Sequence, residues 1–192
     1  MTSAKEKYPC PCCENKTLDE KAPGTFEICP LCFWEDDNIQ AKDPDYTGGT
    51  NDVSLNQARE NLKTIGCCDP QFKIFARKKI LNALIAYEHH PKILAKQLRL
   101  FEGDSDKELA LLEISDIQAV LDLYLKDKIT DEDIQFWAET IEYREDIVYE
   151  QEREDVIKKT IFGLANPDIN QKITIKLVEQ LCKQLIGLII KK

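Results

Sequence analysis

Histidine is scarce in this chain: His89 and His90 are the only two in 192 residues. They stand together before Pro91, at an expected helix end, and the sequence points to no partners that would give them a catalytic or metal-binding role. Long apolar runs are missing as well. No window reaches about 18 apolar residues, so no membrane span is expected. The opening Met1-Thr2-Ser3-Ala4-Lys5-Glu6-Lys7 lacks the apolar core of a signal peptide, and we expect a cytoplasmic protein. A nucleophile elbow, a P-loop and a Rossmann glycine pattern are all absent, so the chain reads as a non-enzyme. Basic residues are too few to balance the acidic ones, 26 against 35, giving a net charge of -9. Nucleic acid is polyanionic, so this balance weighs against a general nucleic-acid binder and suits a basic partner.

Cysteine, by contrast, is plentiful. There are eight, and five lie between positions 10 and 32. In a reducing compartment such clustering argues for metal rather than disulfides. Cys10-Pro11-Cys12-Cys13 and Cys29-Pro30-Leu31-Cys32 are one motif written twice, C-P-x-C, with fifteen residues between the pairs. A C-x-x-C turn aims two thiolates and nearby amides at one ion, and two such turns complete a tetrahedron. Ala22-Pro23-Gly24 supplies the reversal that returns the second pair to the first. Cys10, Cys13, Cys29 and Cys32 are therefore the expected ligands of a closed, structural site. Zinc is the default ion, and iron is the alternative that a four-cysteine site of this kind accepts. Cys12 could replace a neighbour as ligand, but only Cys10 and Cys13 match the second turn, so a spare thiol is the simpler reading. Cys67 and Cys68 have no partner at ligand spacing and are expected to be buried at the domain junction. Cys182 lies on an apolar helix face and reads as core.

The character of the chain changes near residue 70. Residues 1–70 are rich in Cys, Pro, Gly, Asn and Asp, as a loop-dominated, metal-stapled domain should be. One helix is expected there, from Leu55 to Ile65, started by a Ser54–Gln57 capping box and stopped at Gly66. Residues 71–192 read as helical throughout, with no convincing strand. Phe72, Phe75, Ile80, Leu81, Leu84 and Ile85 recur at near-helical spacing. A helix from about Ile93 to Phe101 follows, then a Gly103-Asp104-Ser105 loop with a second capping box, Ser105 with Glu108. Ile117, Val120, Leu121 and Tyr124 mark one apolar face. Thr130 caps the next helix, whose buried face is Ile134, Trp137 and Ile141. Val156, Ile157, Thr160, Ile161 and Leu164 mark another, ended by Asn166-Pro167. The last helix carries Leu177, Val178, Leu181, Cys182, Leu185, Ile186 and Ile189, with Lys191 and Lys192 at its negative pole. The expected fold is a small zinc-ribbon or rubredoxin-like metal domain with four cysteine ligands, followed by an all-α irregular helical bundle.

Several stretches resemble the cysteine-rich CPCC domain family of bacteria. They are Tyr8-Pro9-Cys10-Pro11-Cys12-Cys13, the run Phe26 to Asp37 around the second pair, Asp43-Pro44-Asp45-Tyr46 with Gly48-Gly49, and Val53 to Arg59. The resemblance covers about residues 8 to 68. It implies a metal-binding module of the kind found in bacterial toxin-immunity neighbourhoods. In the second half, Leu121 to Ile134, Trp137-Ala138-Glu139 and Tyr143-Arg144-Glu145-Asp146 look like small helical immunity proteins of bacterial contact-dependent competition. That likeness implies an immunity protein that binds and blocks a cognate toxin domain. Residues 126 to 155 hold four basic and twelve acidic side chains. Such a run is either a solvated helix face or a patch that docks a basic toxin, with Glu139, Glu142, Glu145 and Asp146 as the expected contacts. Trp34, followed by Glu35-Asp36-Asp37, packs on the metal turn or forms a contact surface beside it. The rival function is a zinc-ribbon adaptor or regulator that binds nucleic acid or another protein.

The composition change generates a direct prediction. A fragment from Phe72 to Lys192 should give a helical circular dichroism spectrum without the metal domain, because its helices carry their own apolar faces. A random-coil spectrum would show that the two parts depend on one core.

Overall fold

A computed structural model describes residues 6–101 and 107–189 of the chain, with side chains to residue 187. The chain divides into two compact units, Met1–Arg77 and Lys78–Lys192. Among the described residues no helix is long and apolar enough to cross a membrane.

The first unit is mostly loop. Strand β1 (Tyr8–Pro9) pairs antiparallel with β2 (Lys16–Leu18), and Ile28 bridges Glu35. Two helices follow, α1 (Asn38–Lys42) and α2 (Leu55–Ile65), then a short 3-10 turn over Pro70–Phe72. Helix α2 has the expected boundaries. The Ser54 hydroxyl accepts from the Gln57 N–H at 3.2 Å, and Gly66, at φ +74°, closes the far end on the Leu62 carbonyl. Only half of the expected capping box forms, because the Gln57 amide donates to Asn61 Oδ1 at 2.9 Å instead. The unit's core comprises Cys10, Cys12, Leu18, Cys29, Cys32, Trp34, Leu55, Ala58 and Cys68. Five of these nine are cysteines, so only four of its buried members are ordinary apolar side chains.

Helix α3 (Lys73–Ile85) leads into the second unit, where α4 (Pro91–Leu98), β3 (Ala110–Leu112), α5 (Ile114–Leu125), α6 (Asp131–Glu142), β4 (Ile147–Tyr149), a 3-10 turn (Gln151–Arg153), α7 (Glu154–Ala165) and α8 (Ile175–Ile189) follow in order. Helices α6 and α7 pack together, as do α5 and α8. Leu81, Leu84, Ile117, Leu121, Ile134, Trp137, Ile141 and Ile157 are fully buried between them, and Cys182 joins the same core. The Trp137 indole N–H donates to the Leu84 carbonyl at 2.8 Å, which satisfies the one polar atom of that side chain inside the core.

The structure corrects the all-helical reading of this half. Strands β3 and β4 form a parallel pair, Ala110 opposite Ile147 and Leu112 opposite Tyr149, with α5 and α6 as the crossover between them. Three residues are too few to display a two-residue alternation, so each strand is hidden in the sequence beside its flanking helix. Three apolar positions are also misplaced by the periodicity, Val156 on α7 among them at 36% exposed. Phe75 is 62% exposed and Ile186 43% exposed, while Phe72 stacks on the Phe33 ring with centroids 5.4 Å apart. Helix α4 starts at Pro91 rather than Ile93, since proline at the first helical position gives up no hydrogen bond. His90 caps it: Nδ1 accepts from the Lys92 N–H at 3.2 Å, and Nε2 lies 2.9 Å from Asp133 Oδ1. Asp133 also completes the Thr130 capping box at the start of α6, and hydrogen bonding from the Thr130 backbone holds its carboxyl below the ordinary value. Ser105, Lys191 and Lys192 lie outside the described residues.

Trp137 tests the second core. Trp137→Phe keeps most of the ring but removes one of the two donors to the Leu84 carbonyl, the Tyr87 N–H at 3.2 Å remaining, and should cost about 0.5–1.5 kcal/mol in urea denaturation. Trp137→Ala should cost about 3–5 kcal/mol, because a cavity is added. Equal and small losses for both would show that this side chain does not anchor the core.

Candidate metal centre

The two C-P-x-C segments fold into the same backbone shape. In the first, the Glu14 N–H donates to the Cys10 carbonyl at 2.9 Å, and the Cys10 N–H to the Asn15 carbonyl at 2.9 Å. In the second, Phe33 N–H meets the Cys29 carbonyl at 3.0 Å, and Cys29 N–H the Trp34 carbonyl at 2.8 Å. The residue after each pair, Glu14 at φ +62° and Phe33 at φ +69°, adopts the left-handed conformation that closes the turn. Cys12 and Leu31 occupy the equivalent third position. Each donates its backbone N–H to the preceding cysteine sulfur at 3.4 Å. That equivalence gives Cys12 the non-ligand position of its turn; its buried side chain lies beside Cys32 and is not one of the four clustered sulfurs.

The loop containing Gly24, at φ +92°, turns the second segment back onto the first. The Sγ atoms of Cys10, Cys13, Cys29 and Cys32 then all lie within 4.8 Å of one another. Cys10 to Cys32 and Cys13 to Cys29 are both 3.7 Å apart, and all eight cysteines are free thiols. A tetrahedron with metal–sulfur bonds of about 2.3 Å has edges of about 3.8 Å, so the donor set fits a four-thiolate ion. Cys10, Cys29 and Cys32 are buried and Cys13 is half-buried. As bare thiols the four compete for protons. Contacts with Cys10, Cys12, Cys13 and Cys29, together with burial, push the Cys32 thiol far up, while hydrogen bonds from Cys10, Cys13 and Cys32 hold Cys29 far down. A cation at the centre favours the charged form of all four and removes that competition. The Thr17 hydroxyl, 3.2 Å from Cys29 Sγ, adds a further polar contact.

Elements distant in sequence brace this centre. Arg59 on α2 donates from Nε and Nη2 to the Pro11 carbonyl at 3.2 and 2.9 Å. The Cys68 N–H donates to the Cys32 carbonyl at 2.9 Å. Gln40 is fully buried, and its amide nitrogen reaches the carbonyls of Tyr46, Asn51 and Val53, while Asn51 Nδ2 returns to Gln40 Oε1 at 2.8 Å. Burial pushes the Asp37 carboxyl up, but the N–H groups of Thr50, Ile39 and Gln40 outweigh it and hold it below its ordinary value. Gly49 is required here, since a Cβ would stand 2.2 Å from Asp37 Oδ2. Sequence reading singled out neither Gln40 nor Asn51, although both lie inside the cysteine-rich segment. Their role arises from loop closure and leaves no periodic trace.

The other expected contact residues divide sharply. Trp34 is 1% exposed and packs in the cysteine core, so of its two readings packing on the metal turn holds and a contact surface does not. Its neighbours Phe26, Ile28 and Leu31 are the exposed apolar side chains beside the second turn. Asp146 is fully buried and forms two hydrogen bonds with Arg144, at 2.8 and 2.7 Å, so it is no surface charge. Glu142 is half-buried and accepts from Asn166 Nδ2 through both oxygens. Glu139 and Glu145 are exposed. Cys67 and Cys68 are buried, and burial pushes the Cys67 thiol up to about 11.

Residues 8–81 match a family described as Cysteine-rich CPCC. The match contains all four clustered cysteines and the Gln40 and Asn51 network. No curated protein matches the chain.

Purified protein should carry about one metal ion per chain, as a closed four-sulfur site requires. Cys10→Ser, Cys13→Ser, Cys29→Ser or Cys32→Ser should lose the ion and unfold residues 8–50, because metal binding supplies roughly 10–16 kcal/mol to small domains of this kind. Cys12→Ser should retain it. Elemental analysis without metal, or loss of metal in Cys12→Ser alone, would reject the assignment.

Proposed function

We propose that this chain is a non-catalytic binding protein, stapled by a structural zinc ion, that acts as an immunity protein against a basic toxin domain of bacterial competition. The closed donor set carries the structural part of this reading. Four sulfurs around one ion leave no open position for water or substrate, and a catalytic zinc keeps one. In this reading the first unit is a ribbon-like zinc module that needs the ion in place of an apolar core.

The immunity part rests on the sequence likeness of residues 121–146 and on the acidic charge of residues 126–155. Four of those twelve acidic groups, Asp133, Glu142, Asp146 and Glu150, are less than fully exposed and serve the fold. Asp133 and Asp146 serve a cap and a buried pair, and Glu150 pairs with Arg153. Glu139 and Glu145 remain exposed on either side of Tyr143, which is itself 77% exposed. An aromatic anchor flanked by acidic groups suits a cationic partner surface. A second reading, an adaptor that binds a protein through the metal unit, is favoured by the exposed Phe26, Ile28 and Leu31 beside the second turn.

The two readings separate by mutation. Glu139→Lys with Glu145→Lys should slow association with the toxin domain, weaken its neutralisation and leave the fold intact, because paired charges become repulsive at exposed positions. Added salt should slow the wild-type association in the same direction. Binding unchanged by those reversals but lost in Phe26→Ser with Ile28→Ser would place the contact on the metal unit. Binding to RNA or DNA with a steep salt dependence would reject the immunity reading.

A further inference from the structure

Among the four clustered cysteines, Cys13 is set apart by two independent features. It is the half-buried member, while Cys10, Cys29 and Cys32 are 0–1% exposed. The second feature is the backbone around its sulfur. The sulfurs of Cys10 and Cys29, first in each turn, accept N–H bonds from Cys12 and Leu31, and Cys29 has the Thr17 hydroxyl as well. Among the described residues no backbone N–H bonds to the sulfur of Cys13 or Cys32, and Cys32 is enclosed. Hydrogen bonds withdraw electron density from a thiolate, and enclosure denies access to it, so reactivity concentrates at Cys13, which the Asn15 side chain contacts but which has no backbone N–H partner and is not enclosed. The partner for a reaction is in place, because Cys29 Sγ lies 3.7 Å from Cys13 Sγ. Cys12, the neighbour in sequence, is buried in the core beside Cys32 and is not one of the four clustered sulfurs.

We propose that Cys13 is a site of oxidation by hydroperoxides and that Cys29 resolves it, so that the metal centre is opened by oxidant through one defined disulfide. The proposal rests on the metal reading given above. In the first step the Cys13 thiolate attacks the peroxide. An S–O bond forms, the O–O bond breaks, and hydroxide or alkoxide leaves and takes a proton from water. In the second step the Cys29 thiolate attacks the sulfenic sulfur. The S–S bond forms, the S–O bond breaks, and hydroxide leaves. Two thiolates have lost two electrons in all, and the peroxide has gained them. Two of four donors are then unavailable, and the remaining pair cannot retain the ion.

The experiment uses the full chain as purified with its metal, treated with less than one equivalent of hydrogen peroxide. A colorimetric chelator follows metal release, and peptide mass spectrometry after alkylation identifies the oxidised pair. The expected result is a Cys13–Cys29 disulfide formed in step with metal release, one ion per disulfide. Cys12→Ser should change neither the rate nor the product. First oxidation at Cys12, Cys67 or Cys68, metal retained after Cys13 is oxidised, or loss of the product in Cys12→Ser would each overturn the assignment. Protein that carries no metal before treatment fails the metal reading and this proposal together. Protein that carries metal and releases it through other thiols fails only this proposal.

Discussion

Four sulfurs converging on one point is the constraint on which the first unit depends. A segment of this size with so few apolar side chains cannot bury enough surface to offset the entropy of ordering its loops. Cysteines make up five of the nine buried members of its small core, Leu18, Trp34, Leu55 and Ala58 are the others, and partly buried side chains such as Phe33 and Leu62 pack against them. Thiolates gathered in such a place repel one another and lose their hydration. A cation at their centre would convert that cost into the main attraction, which would make the fold and the site one feature.

The rest of the unit serves to keep the two turns in register. Each turn is self-sufficient in backbone hydrogen bonds, and the repeated proline stiffens both. Their mutual placement comes from elsewhere. Arg59 holds the first turn to α2, Cys68 holds the second, and the buried Gln40 and half-buried Asn51 amides tie the loop after α1 to the segment that leaves the second turn. These contacts all lie within the family match, which runs beyond the cysteines to residue 81. The second unit uses different physics. Its helices bury aliphatic side chains and Trp137, and its polar groups act as caps, with His90, Thr130 and Asp133 joined in one cluster.

The metal centre was legible in the sequence because its signal is local. Spacing within each C-P-x-C fixes one turn, and the duplicate shows which cysteine is the odd one. Helix α2 was legible for the same reason, since Ser54 and Gly66 lie within one turn of its ends. What sequence could not give depends on contacts between distant positions. The strands β3 and β4 exist only as a pair, so neither three-residue piece signals itself. Asp146 looks like its neighbours in an acidic run, and its burial beside Arg144 follows from where β4 begins. Trp34 could not be assigned to core or surface until the second turn was folded, because aromatic character alone allows both. Phe75 shows the converse: helical spacing places a side chain on a face without saying whether that face is covered.

The central claim is that one ion is held by these four sulfurs and no other atoms. X-ray absorption spectroscopy at the metal edge of the purified full chain tests it most directly. The account predicts a single shell of four sulfurs at about 2.3 Å. A shell containing nitrogen or oxygen, or fewer than four sulfurs, would contradict it.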